Sequence, residues 1–172
     1  KVSALVTLLF FTFTHQQIHA QQQPNVIYIL ADDLGYGDLS AFNPDGKINT
    51  PHLDQLSAEG MMFTDGYAAC GVCSPSRASL MTGRYTPRTG VTDWIRGYQA
   101  EQTPEQLNEY KMVGPQNAYE LSLDETTIGE AMKSGGYKTA FVGKWHLGEN
   151  DAHYPHNQGF DVNVAGWNRG SP

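Results

Sequence analysis

A continuous apolar run from Val26 to Ala31 constrains the fold of this chain more than any other feature of its sequence. The run lies between Pro24 and Asp32-Asp33, and such a run is typical of a strand buried on both faces in a parallel sheet. Met61 to Ala69 and Tyr137 to Val142 predict two further extended segments. The sequence therefore predicts strands whose carboxyl ends carry loops at one edge of a sheet.

Helix start and stop signals fall between these strands. Threonine or serine followed by proline is typical of a helix start, and glycine is typical of a helix end. The predicted helices begin at Thr50-Pro51, Ser74-Pro75 and Asp124, and they end at Gly60, Gly83 and Gly135-Gly136. Strands that alternate with helices predict an α/β fold with a largely parallel sheet covered by helices.

The first twenty residues have the layout of a secretory signal peptide. An apolar run from Leu5 to Phe13 follows Lys1, and a polar exit ends at Ala20. The run is too short to span a bilayer, and the linker-like stretch 21–24 disfavours the alternative of a buried N-terminal strand. We expect a signal peptide over 1–20, a domain over 21–172, a periplasmic or secreted location, and no membrane span after cleavage.

The net charge limits the partners of this chain. It is −7 over 172 residues, and no basic run is present. Phosphate backbones are bound by clustered lysine and arginine, so we expect no nucleic-acid partner. An anionic substrate would need a local group of cations or a metal ion.

The chain contains two cysteines, Cys70 and Cys73, in a C-x-x-C spacing. A local disulfide or a redox pair is one interpretation. A redox site does not need the Ser76-Arg77 that follows, however. Cys73 lies at a predicted helix start, where the helix dipole favours a thiolate or an anion, and Arg77 is one helical turn further on. Arg77 could therefore reach the same helix end, the alternative being an exposed helix charge.

Two other groups of polar residues follow predicted strands. Asp32 and Asp33 offer adjacent carboxylates that suit calcium or magnesium, the alternative being a solvated acidic turn. Lys144 and His146 are two residues apart, so an extended backbone would place both on one side, suited to a tetrahedral anion. The alternative is a surface loop in which Trp145 packs inward. All these groups should share one crevice with Cys73.

Two signatures give this chain a family resemblance. Cys73-Ser74-Pro75-Ser76-Arg77, followed by Thr82-Gly83-Arg84, resembles the first signature of the type I sulfatases. Gly136-Tyr137-Lys138-Thr139 with Gly143-Lys144-Trp145-His146-Leu147-Gly148 resembles the second. The resemblance implies an alkaline-phosphatase-like α/β sandwich, incomplete in this chain, and hydrolysis of an organic sulfate ester, carbohydrate or aryl.

The resemblance also implies a role for each site residue. Cys73 would be oxidised to formylglycine, whose hydrate attacks sulfur with one hydroxyl and expels sulfate with the other. Arg77 would hold this hydrate and the metal site together. Lys144 would contact the sulfate and the formylglycine, and His146 would hydrogen-bond the hydrate and assist sulfate release. Asp32 and Asp33, with the modified Cys73, would bind one calcium ion. The implied partners are a sulfated small molecule or glycan and a maturation enzyme that generates formylglycine.

The resemblance runs from Asn25 to Asp161 and includes Thr50-Pro51-His52-Leu53-Asp54, where the family commonly has asparagine in place of His52. It covers the N-terminal part of the family's catalytic domain. We therefore expect this chain to be a fragment of a longer protein. Two carboxylates are few for a calcium site, so we expect the fragment to be inactive alone. His153 and His156 receive no role.

Two alternatives to a sulfatase stay open. One is a formylglycine enzyme that cleaves phosphonate or phosphate esters. The other is a non-catalytic fragment or binding protein that keeps the pocket without turnover. The loop over 85–120 contains Trp94, Tyr98 and Tyr110, which could stack on sugar rings or simply pack.

Overall fold

The computed structural model of the chain describes residues 23–95 and 117–170. The predicted signal peptide, Tyr98 and Tyr110 lie outside these ranges. The chain divides into two units, Lys1–Leu34 and Gly35–Pro172. Over the described ranges no helix is long and apolar enough to cross a membrane.

The apolar run of the first unit is not a buried strand. Ile27 is 85% exposed and Ile29 is 82% exposed, and no strand is formed from Val26 to Ala31. A strand buried on both faces needs hydrogen-bonded neighbours and side chains on each face. The sheet of the described residues contains neither this run nor Met61 to Ala69, so both strand predictions are wrong at these positions.

The second unit contains short helices and one parallel strand pair. The α-helices of its described residues are α1 (Pro51–Glu59), α2 (Cys73–Thr82), α3 (Thr86–Thr89) and α4 (Ile128–Ser134). Single 3-10 turns lie at Tyr36–Asp38, Asp151–His153 and Pro155–Asn157. The strands are β1 (Ala140–Val142) and β2 (Val162–Val164), paired in parallel with Phe141 opposite Asn163.

Helix α1 begins and ends as predicted, with Thr50 as N-cap, Pro51 as first residue and Gly60 as C-cap. Its first turn is tied to the preceding loop through Asp54, which accepts hydrogen bonds from the Ser40 hydroxyl at 2.6 Å and the Thr50 hydroxyl at 3.0 Å. The Ser40 hydrogen bond is the main cause that lowers the pKa of Asp54, because it favours the ionised carboxyl.

Helix α4 begins at Ile128, and its N-cap lies three residues after the predicted cap Asp124. Thr127 is its N-cap, and a reciprocal capping box joins it to Glu130, with hydrogen bonds of 3.2 and 2.8 Å. Two backbone N–H groups are satisfied by this box, which makes Thr127 the better start. Gly135 ends the helix, as predicted.

Strand β1 covers only the last three residues of the predicted segment Tyr137 to Val142. Beside it, Asp161 accepts from the backbone N–H of Thr139 at 3.2 Å and pairs with Lys133 of α4 at 2.8 Å. These contacts join α4 to the start of β2. Hydrogen bonding to Lys133, then to Thr139, lowers the pKa of Asp161 to about 2.

The core of this unit lies between α2 and the segment that follows β1. Its buried members among the described residues are Ala78, Val91, Ile95, Leu121, Trp145, Leu147 and Phe160. The Trp145 ring contacts Phe141 edge-on, with centroids 5.0 Å apart, and Phe160 at 6.0 Å. Trp145, which lies between Lys144 and His146, is therefore packed in the core.

Candidate active site

Helix α2 positions two of the predicted site residues. Cys73 is its first residue and Val72 its N-cap, so the helix begins two residues earlier than predicted from a Ser74 cap, and Arg77 lies one turn further on. The first turn of a helix has backbone N–H groups without helical acceptors, which gives its start a partial positive charge. Gly83 ends the helix in the left-handed conformation, with φ of 67°, that glycine adopts readily.

The segment after β1 brings Lys144 to this helix. The Lys144 ammonium donates to Cys73 Sγ at 3.1 Å, across a sequence separation of 71 residues. The guanidinium of Arg77 donates through Nη1 to the backbone carbonyl of Lys144. Arg77 is only 8% exposed, so the alternative of an exposed helix charge is wrong. Three of the four predicted catalytic residues are thus in direct contact.

The fourth, His146, is held differently from the sequence prediction. Its backbone has a φ of 62°, in the left-handed region, so the alternation of an extended strand does not apply between Lys144 and His146. That conformation costs about 1–2 kcal/mol for a residue with a side chain. The His146 backbone N–H donates to the carbonyl of Trp167 at 3.2 Å, which helps to hold it.

The imidazole of His146 is 2% exposed and packs edge-on against Trp94, with ring centroids 5.6 Å apart. Its Nε2 lies 3.1 Å from the backbone carbonyl of Ile95. The N–H of Ile95 donates in turn to the hydroxyl of Ser74, also at 3.1 Å. Sequence reasoning assigned Ser74 only to a helix start and gave Ile95 no role, because no pattern pairs a helix residue with a loop residue 21 positions later.

Trp145 is the packing residue that the sequence predicts. Its indole N–H donates to the backbone carbonyl of His153 at 2.6 Å. The His153 ring is buried, donates through Nδ1 to Asn150 at 2.9 Å and lies 3.3 Å from Glu120. His156 is exposed and pairs with Asp151 at 2.9 Å. His153 therefore helps to hold Trp145 in the core through its backbone carbonyl.

The two cysteines are not joined by a disulfide. Cys73 instead accepts from Lys144, and Cys70 is partly buried in the turn before α2. The disulfide interpretation is therefore wrong for this structure. A thiol beside an ammonium is an arrangement that suits a reactive or modified cysteine.

The predicted calcium ligands, Asp32 and Asp33, belong to the first unit, where both are exposed. Asp33 has a left-handed backbone with φ of 63°. Adjacent carboxylate oxygens are the donor type that calcium prefers, so the chemistry of these two residues fits the ion. Calcium takes about six or more oxygens, and no cluster of three or more His, Cys, Asp or Glu occurs within 23–95 and 117–170. Two aspartates alone would be a partial ligand set for this ion.

Comparison with known proteins identifies the family. A sequence profile described as Sulfatase matches residues 24–171. Human arylsulfatase G is 44% identical over 140 residues, which are 81% of this chain and 23% of that protein. Human steryl-sulfatase is 38% identical over 160 residues, 90% of this chain and 25% of that protein. A crystal structure of Ps i-CgsB in complex with k-i-k-neocarrahexaose is 36% identical with a TM-score of 0.64, covering 84% of this chain and 29% of that one.

The chain belongs to the sulfatase family, as its two signatures predict. It spans about a quarter of the length of the curated relatives, 23% for arylsulfatase G and 25% for steryl-sulfatase. The solved sulfatases that it resembles have the alkaline-phosphatase-like α/β fold, to which the parallel pair β1–β2 and the surrounding helices correspond. The predicted fold class is therefore confirmed.

Proposed function

We propose that this chain forms the nucleophile side of the active site of a sulfuric ester hydrolase, with Cys73 as the precursor of formylglycine. The observation that carries the proposal is the 3.1 Å contact between Lys144 Nζ and Cys73 Sγ. This contact brings a residue of the first signature and a residue of the second together. Sγ here stands in for the oxygens that the oxidised and hydrated side chain would carry.

A formylglycine hydrate supplies two hydroxyls, one that accepts the sulfuryl group and one whose deprotonation allows sulfate to leave. The chain's own residues prepare that position. The Lys144 ammonium is placed to offset negative charge on an incoming sulfate ester, because a cation beside the reacting atom lowers the repulsion between nucleophile and anion. Arg77 fixes the Lys144 backbone, so the ammonium is held in place before substrate binds.

His146 would serve as the proton-transfer group of the site. An imidazole can both donate and accept a proton through its ring nitrogens, which suits it to deliver or remove a proton during sulfate release. Asp32 and Asp33 would hold a calcium ion together with further oxygens. Such an ion would supply positive charge that favours an anionic substrate.

The names of the relatives support a substrate class. Their names include an arylsulfatase and a steryl-sulfatase, and one solved relative is bound to a neocarrahexaose. We therefore assign an organic sulfate ester, aryl or carbohydrate, as the substrate. The signature around Cys73 also supports a secreted or periplasmic location, with a formylglycine-generating enzyme as the partner that modifies Cys73 during export.

The test uses protein from the complete reading frame, produced with and without a formylglycine-generating enzyme. Mass spectrometry of the peptide that contains Cys73 reports the modification, and hydrolysis is measured on aryl sulfate and sulfated oligosaccharide with the matching phosphate esters beside them. We expect sulfate ester hydrolysis that scales with formylglycine content and is absent in Cys73→Ala. Faster hydrolysis of the phosphate esters, or full activity with unmodified cysteine, would overturn the proposal.

A further inference from the structure

We infer that Ser74 is a positioning residue that sets the tautomer and orientation of His146 through the peptide groups of Ile95. The inference rests on the proposed function, in which His146 transfers a proton at the formylglycine. Ser74 lies inside the first signature, and the inference gives it a role that neither the resemblance nor the relatives' names assign.

The contacts form an unbroken path from the nucleophile's helix to the histidine. Ser74 directly follows Cys73 in α2, and its hydroxyl oxygen accepts from the N–H of Ile95 at 3.1 Å. The carbonyl of the same Ile95 lies 3.1 Å from His146 Nε2. Ser74, Ile95 and His146 are all buried, so water does not compete for these groups.

The chemistry of the partners decides which ring nitrogen carries the proton. A carbonyl oxygen only accepts, so Nε2 of His146 must be protonated to bond to Ile95. In the neutral imidazole this makes Nδ1 the basic nitrogen. The edge-on contact with Trp94 restrains the ring. The Ile95 carbonyl makes the selection.

Ser74 fixes the place of that carbonyl. Without its hydroxyl, the buried N–H of Ile95 would lose the acceptor that it now uses, and a buried donor without a partner drives a local shift of the chain. A shift of the Ile95 peptide moves its carbonyl away from Nε2. The proton position on His146 is therefore tied to α2, the helix that begins with Cys73.

The experiment compares Ser74→Ala, Ser74→Thr and Ser79→Ala in protein from the complete reading frame, matured in cells. Ser79 is the matched control, since it is a buried serine of the same helix whose hydroxyl has no hydrogen-bond partner among the described residues. Three quantities are measured: formylglycine content by mass spectrometry, kcat and KM across pH, and the His146 tautomer by nitrogen-15 NMR with His146→Gln for assignment. Rates are expressed per formylglycine.

We expect Ser74→Ala to lower kcat about tenfold with KM changed less than about twofold, a part of the roughly 10²–10⁴ that proton transfer contributes. Its NMR spectrum should show a mixture of His146 tautomers, and the limb of the pH profile that His146→Gln abolishes should move. Ser74→Thr keeps a hydroxyl and should restore all three properties, and Ser79→Ala should match the native enzyme.

The outcomes separate the inference from the function on which it rests. Native protein that hydrolyses no sulfate ester would end the proposed function, while the NMR comparison would still report whether Ser74 sets the ring. An active native enzyme whose Ser74→Ala variant keeps the Nε2–H tautomer and the native pH profile would overturn the inference. If Ser74→Ala does not fold, Ser74→Cys replaces it, since the thiol has similar shape but is a weak acceptor.

Discussion

The ammonium of Lys144 and the sulfur of Cys73 lie 3.1 Å apart at the start of α2, although 71 residues separate them in the chain. The contact depends on the carbonyl of Lys144, which Arg77 of the same helix holds. One helix thus presents the modifiable side chain and fixes the cation beside it. The first two predictions concern this pair.

Replacement of Cys73 by serine should stop the reaction at the covalent intermediate. A serine hydroxyl can take up the sulfuryl group, but it lacks the second hydroxyl that expels sulfate. We expect Cys73→Ser to accumulate a covalent sulfate ester at this residue when aryl sulfate is added, detected by intact-protein mass spectrometry. Steady turnover beyond one equivalent would contradict the assignment.

Replacement of Lys144 by methionine should lower kcat about 10²- to 10³-fold, the range seen when one preorganised charge or donor is removed from an anionic transition state. Lys138→Met is the matched control, because Lys138 is exposed in the segment just before β1. Steady-state kinetics on formylglycine-normalised enzyme measures both variants. Equal losses in the two would mean that only net charge matters.

The packing of α4 against Phe160 should tolerate no side chain at Gly129. A Cβ there would lie 2.7 Å from the carbonyl oxygen of Gln158 and 2.7 Å from the Phe160 ring. We expect Gly129→Ala to lower the free energy of unfolding by about 1–3 kcal/mol, as overpacking does. Gly71→Ala is the control, since nothing lies within 4 Å of a Cβ at Gly71. Denaturant unfolding distinguishes them, and equal stabilities would refute the close packing.

Asp161 should make stability fall in acid. Its pKa is lowered from 3.8 to about 2 by hydrogen bonds to Lys133 and Thr139. A lowered pKa means that the native state favours the ionised carboxyl, so its contribution is complete above pH 4 and is lost as the pH falls from 3.8 toward 2. Asp161→Asn should lower Tm at neutral pH, and the difference from the native protein should shrink over that window. A difference that stays constant with pH would exclude this role for the carboxylate.

Local signals in the sequence predicted part of this fold. Thr50 and Gly60 mark the ends of α1 because caps are read from neighbouring residues. Strand β2 was not predicted, since its three residues carry no periodic pattern and form a strand only through pairing with Ala140–Val142. The run from Val26 to Ala31 is a strand that was predicted and is not formed. Its apolar composition predicts burial, but burial also needs neighbouring elements, which composition does not supply.

The contacts of the candidate site also divide into those that the sequence predicted and those that it did not. The approach of Lys144 to Cys73 was predictable from two motifs that suit one anion. The support of His146 by Ile95 was not, because a backbone carbonyl offers the same acceptor whatever its side chain. Such contacts depend on the path of the loop, which the side-chain pattern does not encode.

The burial of Trp145 has a further consequence for the two residues beside it. The indole is 1% exposed and is fixed by Phe141, Phe160 and the carbonyl of His153. Lys144 and His146 therefore flank one buried residue that sets the position of both. A substitution that loosens the packing of Trp145 would displace the ammonium and the imidazole together, so the two would lose their contributions to the rate at the same time.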